Sequence, residues 1–260
     1  MSELEYGQVV SALRGAGCVF AEEEADILVE SASTPAELTA MLARRVAGEP
    51  LEHVVGWVAF CGRRIAVAPG VFVPRRRTEF LVECAAALHP SVLLDLCCGS
   101  GAIGLSVDGV TELHAADVDA VAVECASRNV ADVGDAVPVG HVHRGDLYDA
   151  VPAEMRGRFD AIVVNAPYVP TGDIGLMPRE ARIHEPHIAL DGGTDGAEIH
   201  RRVAVGAPQW LAPGGHLLIE TSAALAHSTL RAVIDAGFAG RIAESEALDA
   251  VVVIGSMDEQ

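Results

Sequence analysis

Residues 92–105, Val-Leu-Leu-Asp-Leu-Cys-Cys-Gly-Ser-Gly-Ala-Ile-Gly-Leu, run from an apolar strand through closely spaced glycines into a helix. Val92 to Leu96 has the length of a buried strand. The glycines that follow let the backbone turn sharply and approach a ligand at the carboxyl edge of a sheet. Twenty-two residues after Asp95, a second strand ends in Ala116-Asp117-Val118-Asp119. A carboxylate at that tip, Asp117, is placed to accept hydrogen bonds from ribose hydroxyls. Gly104 completes the literal GxGxxG spacing of a dinucleotide loop, but Asp95 stands just ahead of the glycines. Its charge would repel a pyrophosphate and suits a cationic amino-acid head group. The context therefore favours S-adenosylmethionine over NAD. A third strand ends in Arg144-Gly145-Asp146-Leu147, which sets Asp146 and Leu147 over an adenine.

Outward from this loop, the chain after about Pro74 alternates short apolar strands with helical intervals. The strands are Val92–Leu96, Glu112–Asp117, His141–Arg144, Ala161–Asn165, His216–Glu220 and Val251–Gly255. That rhythm predicts a doubly wound α/β domain, a parallel sheet covered on both faces. Before it, apolar positions at helical spacing (Val9, Val10, Leu13, Ile27, Leu28) predict short helices. Thr34-Pro35 with Glu37 opens one that runs to about Ala47 and stops at Gly48. Val54–Phe60 and Arg64–Val67, separated by Cys61-Gly62-Arg63, read as a hairpin linking the two parts. The division expected is 1–74 for helices plus hairpin and 75–260 for the α/β domain.

Composition narrows the function. The chain has 260 residues, 37 acidic against 18 basic, and a formal charge of −19, which disfavours direct DNA binding. The only run of three basic residues is Arg75-Arg76-Arg77, and the absence of lysine removes Schiff-base chemistry. Six scattered cysteines make no disulfide framework, and no Cys or His spacing suits zinc, so no metal is expected. No apolar stretch reaches membrane-spanning length and no signal segment opens the chain, so a cytoplasmic protein without membrane contact is expected.

The fourth strand closes in Asn165-Ala166-Pro167-Tyr168. The Asn165 side-chain oxygen and the Ala166 carbonyl can each accept one N–H of a planar amide or amine, with Tyr168 against its flat face. Asn165–Tyr168 resembles the Asn-Pro-Pro-Tyr motif of amino-group methyltransferases, and Asp95–Gly104 is similar to their adenosylmethionine loop. Three further stretches narrow the resemblance: 48–62 from Gly48-Glu49-Pro50, 73–82 from Val73-Pro74-Arg75, and 185–196 from Glu185-Pro186-His187. Together they resemble the protein-(glutamine-N5) methyltransferases of the HemK/PrmC type, which methylate the glutamine of the Gly-Gly-Gln loop of peptide chain release factors.

The resemblance implies a Rossmann-like class I methyltransferase domain behind a small N-terminal helical domain. It implies S-adenosyl-L-methionine as cofactor, S-adenosyl-L-homocysteine as product and a release factor as protein partner. Carried over by position, Asn165, Ala166, Pro167 and Tyr168 form the catalytic corner. Asp95, Cys97, Gly99 and Gly101 make the cofactor cradle, Asp117 and Val118 take the ribose, Asp146 and Leu147 border the adenine, and Asn165 touches the cofactor as well. Arg75, Thr78, Glu79 and Glu185 shape the substrate entrance. The chain departs from the family at Ala166 (for proline), at Arg76 and Arg77 (for Pro and Glu), at Cys97-Cys98 (for Gly-Thr) and after Glu220. Two other readings stay open: N-methylation of another protein side chain or small-molecule amine, and a non-catalytic adenosylmethionine-binding module.

Overall fold

The computed structural model describes residues 3–134 and 139–257. Four helices open it: α1 (Glu3–Gly15), α2 (Ala21–Ser31), α3 (Pro35–Val46) and the short α4 (Leu51–Val55). Helix α3 starts where the sequence predicts. Thr34 accepts a hydrogen bond from the Glu37 amide at 3.2 Å, and the Glu37 carboxylate takes the Ser33 amide at 2.8 Å. Leu13, Ala21, Ala25, Leu28 and Val54 bury together and form a small core of their own.

The hairpin is shorter than expected. Val54 and Val55 end α4 instead of starting a strand, because Gly56 at φ 84° closes that helix in the left-handed conformation. The strands are β1 (Trp57–Phe60) and β2 (Arg63–Ala66). They are joined through Cys61 and Gly62, both at positive φ, as a two-residue turn matching strand twist requires. Val58, Phe60 and Ile65 pack into the core of the large sheet, while the Trp57 indole donates to Ser31 Oγ at 3.2 Å. The hairpin thus touches both the N-terminal helices and the sheet.

Seven strands form that sheet: β3 (Val92–Leu96), β4 (Glu112–Asp117), β5 (Val139–Arg144), β6 (Phe159–Val164), β7 (Leu211–Thr221), β8 (Ala239–Ser245) and β9 (Ala250–Ser256). Their order is β5-β4-β3-β6-β7-β9-β8. The pairs from β5 across to β7 are parallel, as expected. Beyond β7 the expectation of a wholly parallel sheet fails, since β9 runs antiparallel between β7 and β8. Strand β8 escaped the sequence reading because it is an edge strand whose residues alternate between exposed and half-buried, leaving no apolar run.

Helices α5 (Glu79–Ala86), α6 (Ala102–Ser106), α7 (Ala120–Asp132), α8 (Arg179–His184), α9 (Glu198–Gly206) and α10 (Ala226–Asp235) complete the chain. Alternate strand residues serve opposite faces. Leu93, Ala161 and Val163 pack under α5 and the hairpin, whereas Leu94, Leu96, Ile162 and Val164 pack under α9 and α10. The strand order reverses between β3 and β6, so a crevice opens at their carboxyl ends. No helix among the described residues is long and apolar enough to cross a membrane.

On the β5 edge, His114 Nδ1 lies 2.9 Å from His143 Nε2, and His114 Nε2 lies 3.1 Å from Glu112 Oε1. Burial, reinforced by the His114 and His141 imidazoles, pushes His143 down to about 4 from its ordinary 6.5. The unfolded chain therefore takes that proton first. His143 contributes stability fully above 6.5 and loses it as pH falls towards about 4. Replacing it by His143→Gln is expected to shrink the fall in Tm between about pH 7 and about pH 4.5 relative to the parent chain. Thermal unfolding across that range checks it, and superimposable pH profiles would count against the assignment.

Candidate active site

The glycine loop is riveted to the neighbouring strand by one carboxylate. Asp117, at the tip of β4, accepts the Gly99 amide on Oδ2 and the Asp119 amide on Oδ1, each at 2.9 Å. Gly99 at φ 56° and Gly101 at φ 76° supply the left-handed turns, and Cys97 holds φ 56° as well. Asn129 of α7 clips the loop from behind. Its Nδ2 donates to the carbonyls of Ser100 (2.8 Å) and Ala66 (2.9 Å), and its Oδ1 accepts the Ala66 amide at 2.9 Å. Nothing in the sequence reading marked Asn129, because a single polar residue on an amphipathic helix carries no pattern.

Asp95 lies beneath the loop and does not line the crevice. Its Oδ2 accepts the Gly104 amide at 2.9 Å, its Oδ1 is buried without a partner, and burial pushes its carboxyl up to about 7. Gly104 makes this possible. A Cβ there would stand 2.6 Å from Leu113 Cδ1 and 3.1 Å from Asp95 Cβ, so the third glycine serves close packing of α6 on β3 and β4.

The crevice is a cavity of about 690 Å³. Of the expected cofactor residues, Cys97, Gly99, Asp117, Val118, Asp146, Leu147 and Asn165 line it, while Asp95 and Gly101 lie behind it. The four residues Asn165, Ala166, Pro167 and Tyr168 line the same cavity, which brings the expected acceptor corner and the expected cofactor cradle together. Of the expected entrance residues only Thr78 lines the wall. Arg75 pairs with the buried Glu185, and Glu79 accepts the Cys61 amide at 3.1 Å, tying the hairpin turn to α5. These three hold the frame. The segment before Ala189 is therefore more than a solvated loop, since Glu185 is buried and Met177 and Ile188 form part of the wall.

Around the acceptor corner, Asn165 Nδ2 donates to Thr78 Oγ1 at 3.3 Å. The Val169 amide donates to the Leu190 carbonyl at 3.1 Å, and the Gly192 amide to the Val169 carbonyl at 2.8 Å. Gly192 and Gly196 allow this close approach, since a Cβ on either would come within 2.6 Å of the Tyr168 backbone. Three residues outside the expected set adjoin the site. Arg77 spreads its guanidinium 5.9 Å from the Tyr168 ring centre and brings Nε within 3.6 Å of Glu220 Oε1, at the end of β7. The charge reversal at position 77 is thus absorbed by Glu220, whose side chain is 2% exposed. Arg202 of α9 pairs with Asp146 at 2.7 Å.

Burial raises the Tyr168 phenol to about 12, helped by the nearby Glu220 charge, so it stays neutral at physiological pH. Burial likewise raises Asp117, against the pull of the backbone amides it accepts. The donor set suits a cation with ribose hydroxyls. Asp117, Asp119 and Asp146 line the cradle, and Asp117 keeps further lone pairs beyond its two backbone bonds.

Residues 63–176 match the family described as methyltransferase small domain. The release factor glutamine methyltransferase of Geobacter sulfurreducens is 37% identical over 214 residues, covering 78% of this chain and 72% of the relative. Among solved structures, a methyltransferase from Pyrococcus furiosus superposes with a TM-score of 0.58 at 17% identity, over 76% of this chain and 90% of that one. The 16S rRNA N2 G1207 methyltransferase of T. thermophilus, solved with AdoMet and guanosine, gives 0.55 at 19% identity, over 77% and 49%. At these identities the structural likeness is one of fold.

Filling the space beneath the loop is expected to be costly. Gly104→Ala should lower stability by about 1–3 kcal/mol, as overpacking does, and loosen the loop that Asp95 anchors. Urea unfolding checks this, and an unchanged midpoint would show that Leu113 yields freely.

Proposed function

This chain belongs to the release factor glutamine methyltransferase family, and on that premise we propose that it transfers a methyl group from S-adenosylmethionine to the side-chain amide of a protein glutamine. The acceptor proposed is the glutamine of a release factor's Gly-Gly-Gln loop. Such a partner works at the ribosome, which puts the enzyme in the cytoplasm. The observation that carries the reading is the placement of Asn165 and Ala166 on the same cavity as Gly99 and Asp117.

The residues present fit the cofactor. Cys97, Gly99, Asp117 and Val118 would hold its amino-acid and ribose portions, and Asp146 and Leu147 would flank its adenine. Bound there, it supplies a methyl carbon already activated on a sulfonium sulfur.

What remains for the protein is alignment. An amide nitrogen is a weak nucleophile because its lone pair is delocalised into the carbonyl. Two acceptors, Asn165 Oδ1 and the Ala166 carbonyl, aimed at its two N–H bonds turn the nitrogen face towards the methyl and stabilise the positive charge growing on it. Good positioning of this kind is worth roughly 7–11 kcal/mol in favourable systems. Tyr168 offers a neutral flat face and takes no proton at physiological pH. The surplus proton leaves to water after transfer, so a general base is unnecessary.

A protein acceptor also suits the charge distribution better than a nucleic acid. Within the basic run, Arg75 and Arg77 are engaged by Glu185 and Glu220, leaving Arg76 as its only member without a carboxylate partner among the described residues. Phosphate binding needs clustered free cations.

Tritiated S-adenosylmethionine with purified release factor tests the reading, using a Gly-Gly-Ala loop as control. Label on the parent factor alone is expected. Asn165→Ala should cut transfer roughly a hundredfold or more while the cofactor Kd changes little. Parallel loss of binding and transfer would remove Asn165 from the acceptor role.

A further inference from the structure

Glu220 is a charged group with no assigned task, buried at the end of β7 where the acceptor corner meets the sheet. Neither of its oxygens has a hydrogen-bond partner, although Arg77 Nε lies 3.6 Å away. Thr78, 1% exposed, follows Arg77 in the chain, is near enough to this carboxylate to favour its charged form, and already receives the Asn165 Nδ2 proton. A hydroxyl that accepts one hydrogen bond still has a proton to give, and a buried hydroxyl seeks an acceptor. We propose that Glu220 is a positioning residue that takes the Thr78 proton and thereby fixes which way round the Asn165 amide sits.

An ionised carboxylate accepts and never donates. With Glu220 as its acceptor, Thr78 presents only a lone pair to Asn165. The Asn165 NH2 must then face Thr78, and Oδ1 must face the cavity, the orientation that receives an N–H from the acceptor glutamine. The reversed amide would set Oδ1 against the Thr78 lone pair and aim its NH2 at the N–H groups of the acceptor glutamine. Burial pushes the Glu220 carboxyl up, while the Thr78 hydroxyl, Arg77 and Tyr168 favour its charged form. Arg77 supplies a countercharge that favours the ionised form of this acceptor against its burial.

The proposal rests on the glutamine-transfer reading for its consequence in catalysis, but the amide orientation is measurable without any acceptor. In NMR spectra of the enzyme with cofactor, the Asn165 side-chain NH2 pair, assigned by its loss in Asn165→Asp, should be shifted and slow to exchange. Glu220→Gln and Thr78→Val should each abolish that protection. In transfer assays at saturating cofactor, each should lower kcat by about tenfold or more with the cofactor Kd unchanged. The double variant should be no worse than the poorer single one, because the relay is already broken. Thr78→Ser should recover most of what Thr78→Val loses. Additive losses, or an NH2 pair indifferent to Glu220→Gln, would overturn the proposal. Should Glu220→Gln fail to fold, the Thr78→Ser and Thr78→Val pair decides: equal loss in both removes the hydroxyl from any role. If the parent enzyme labels no glutamine, the proposed function fails, while the NMR comparison still decides the orientation of Asn165.

Discussion

The parallel pairing of β3 with β6 is the constraint on which the site depends. Leu96 lies beside Val164 in that register, so the residues that follow, Cys97 and Asn165, emerge side by side at the edge of the sheet. The chain travels out through β4 and β5 before returning to make this pair, and the reversal leaves the crevice uncovered. A slip by one residue would turn Asp95 to the opposite face and drive Leu94 or Leu96 out of their layer. The apolar alternation through Leu93, Leu94 and Leu96 is therefore what holds two polar loops in reach of each other. Their chemistry is polar, but their coincidence is the work of buried aliphatic side chains.

Much of this was legible in the chain itself. Strands β3 and β4 were readable to the residue because both are central and buried on both faces, so that apolar residues dominate them and polar ones mark their ends and the loop side. The Thr34 cap was readable because capping is a local matter. The failures share a cause as well. Val54 and Val55 look like strand, and only the left-handed Gly56 after them ends a helix instead. Strand β8 borrows its order from β9 and has no apolar signature of its own. Asn129, Arg77 and Glu220 act through partners tens of residues away, and no spacing rule links them.

Charge is used in the same economical way. The acidic excess of the chain is general, but the carboxylates near the site are individually spent. Asp117 binds two amides, Glu185 holds Arg75, and Asp146 holds Arg202. Ion pairs with one buried partner contribute little net stability, since desolvation consumes most of the attraction. Their value here is directional: Asp146 and Arg202 border the cavity, and the Arg75–Glu185 pair holds the frame around it.

The turn formed by residues 191–196 presses on the backbone of Tyr168 through two glycines, beside a tetrapeptide whose second residue is alanine and not proline. A pyrrolidine ring restricts the main chain before folding begins; a neighbouring turn restricts it only once docked. At Ala166 the stiffness of this corner is accordingly borrowed from a docked neighbour, and the borrowed part lasts only as long as that turn stays seated.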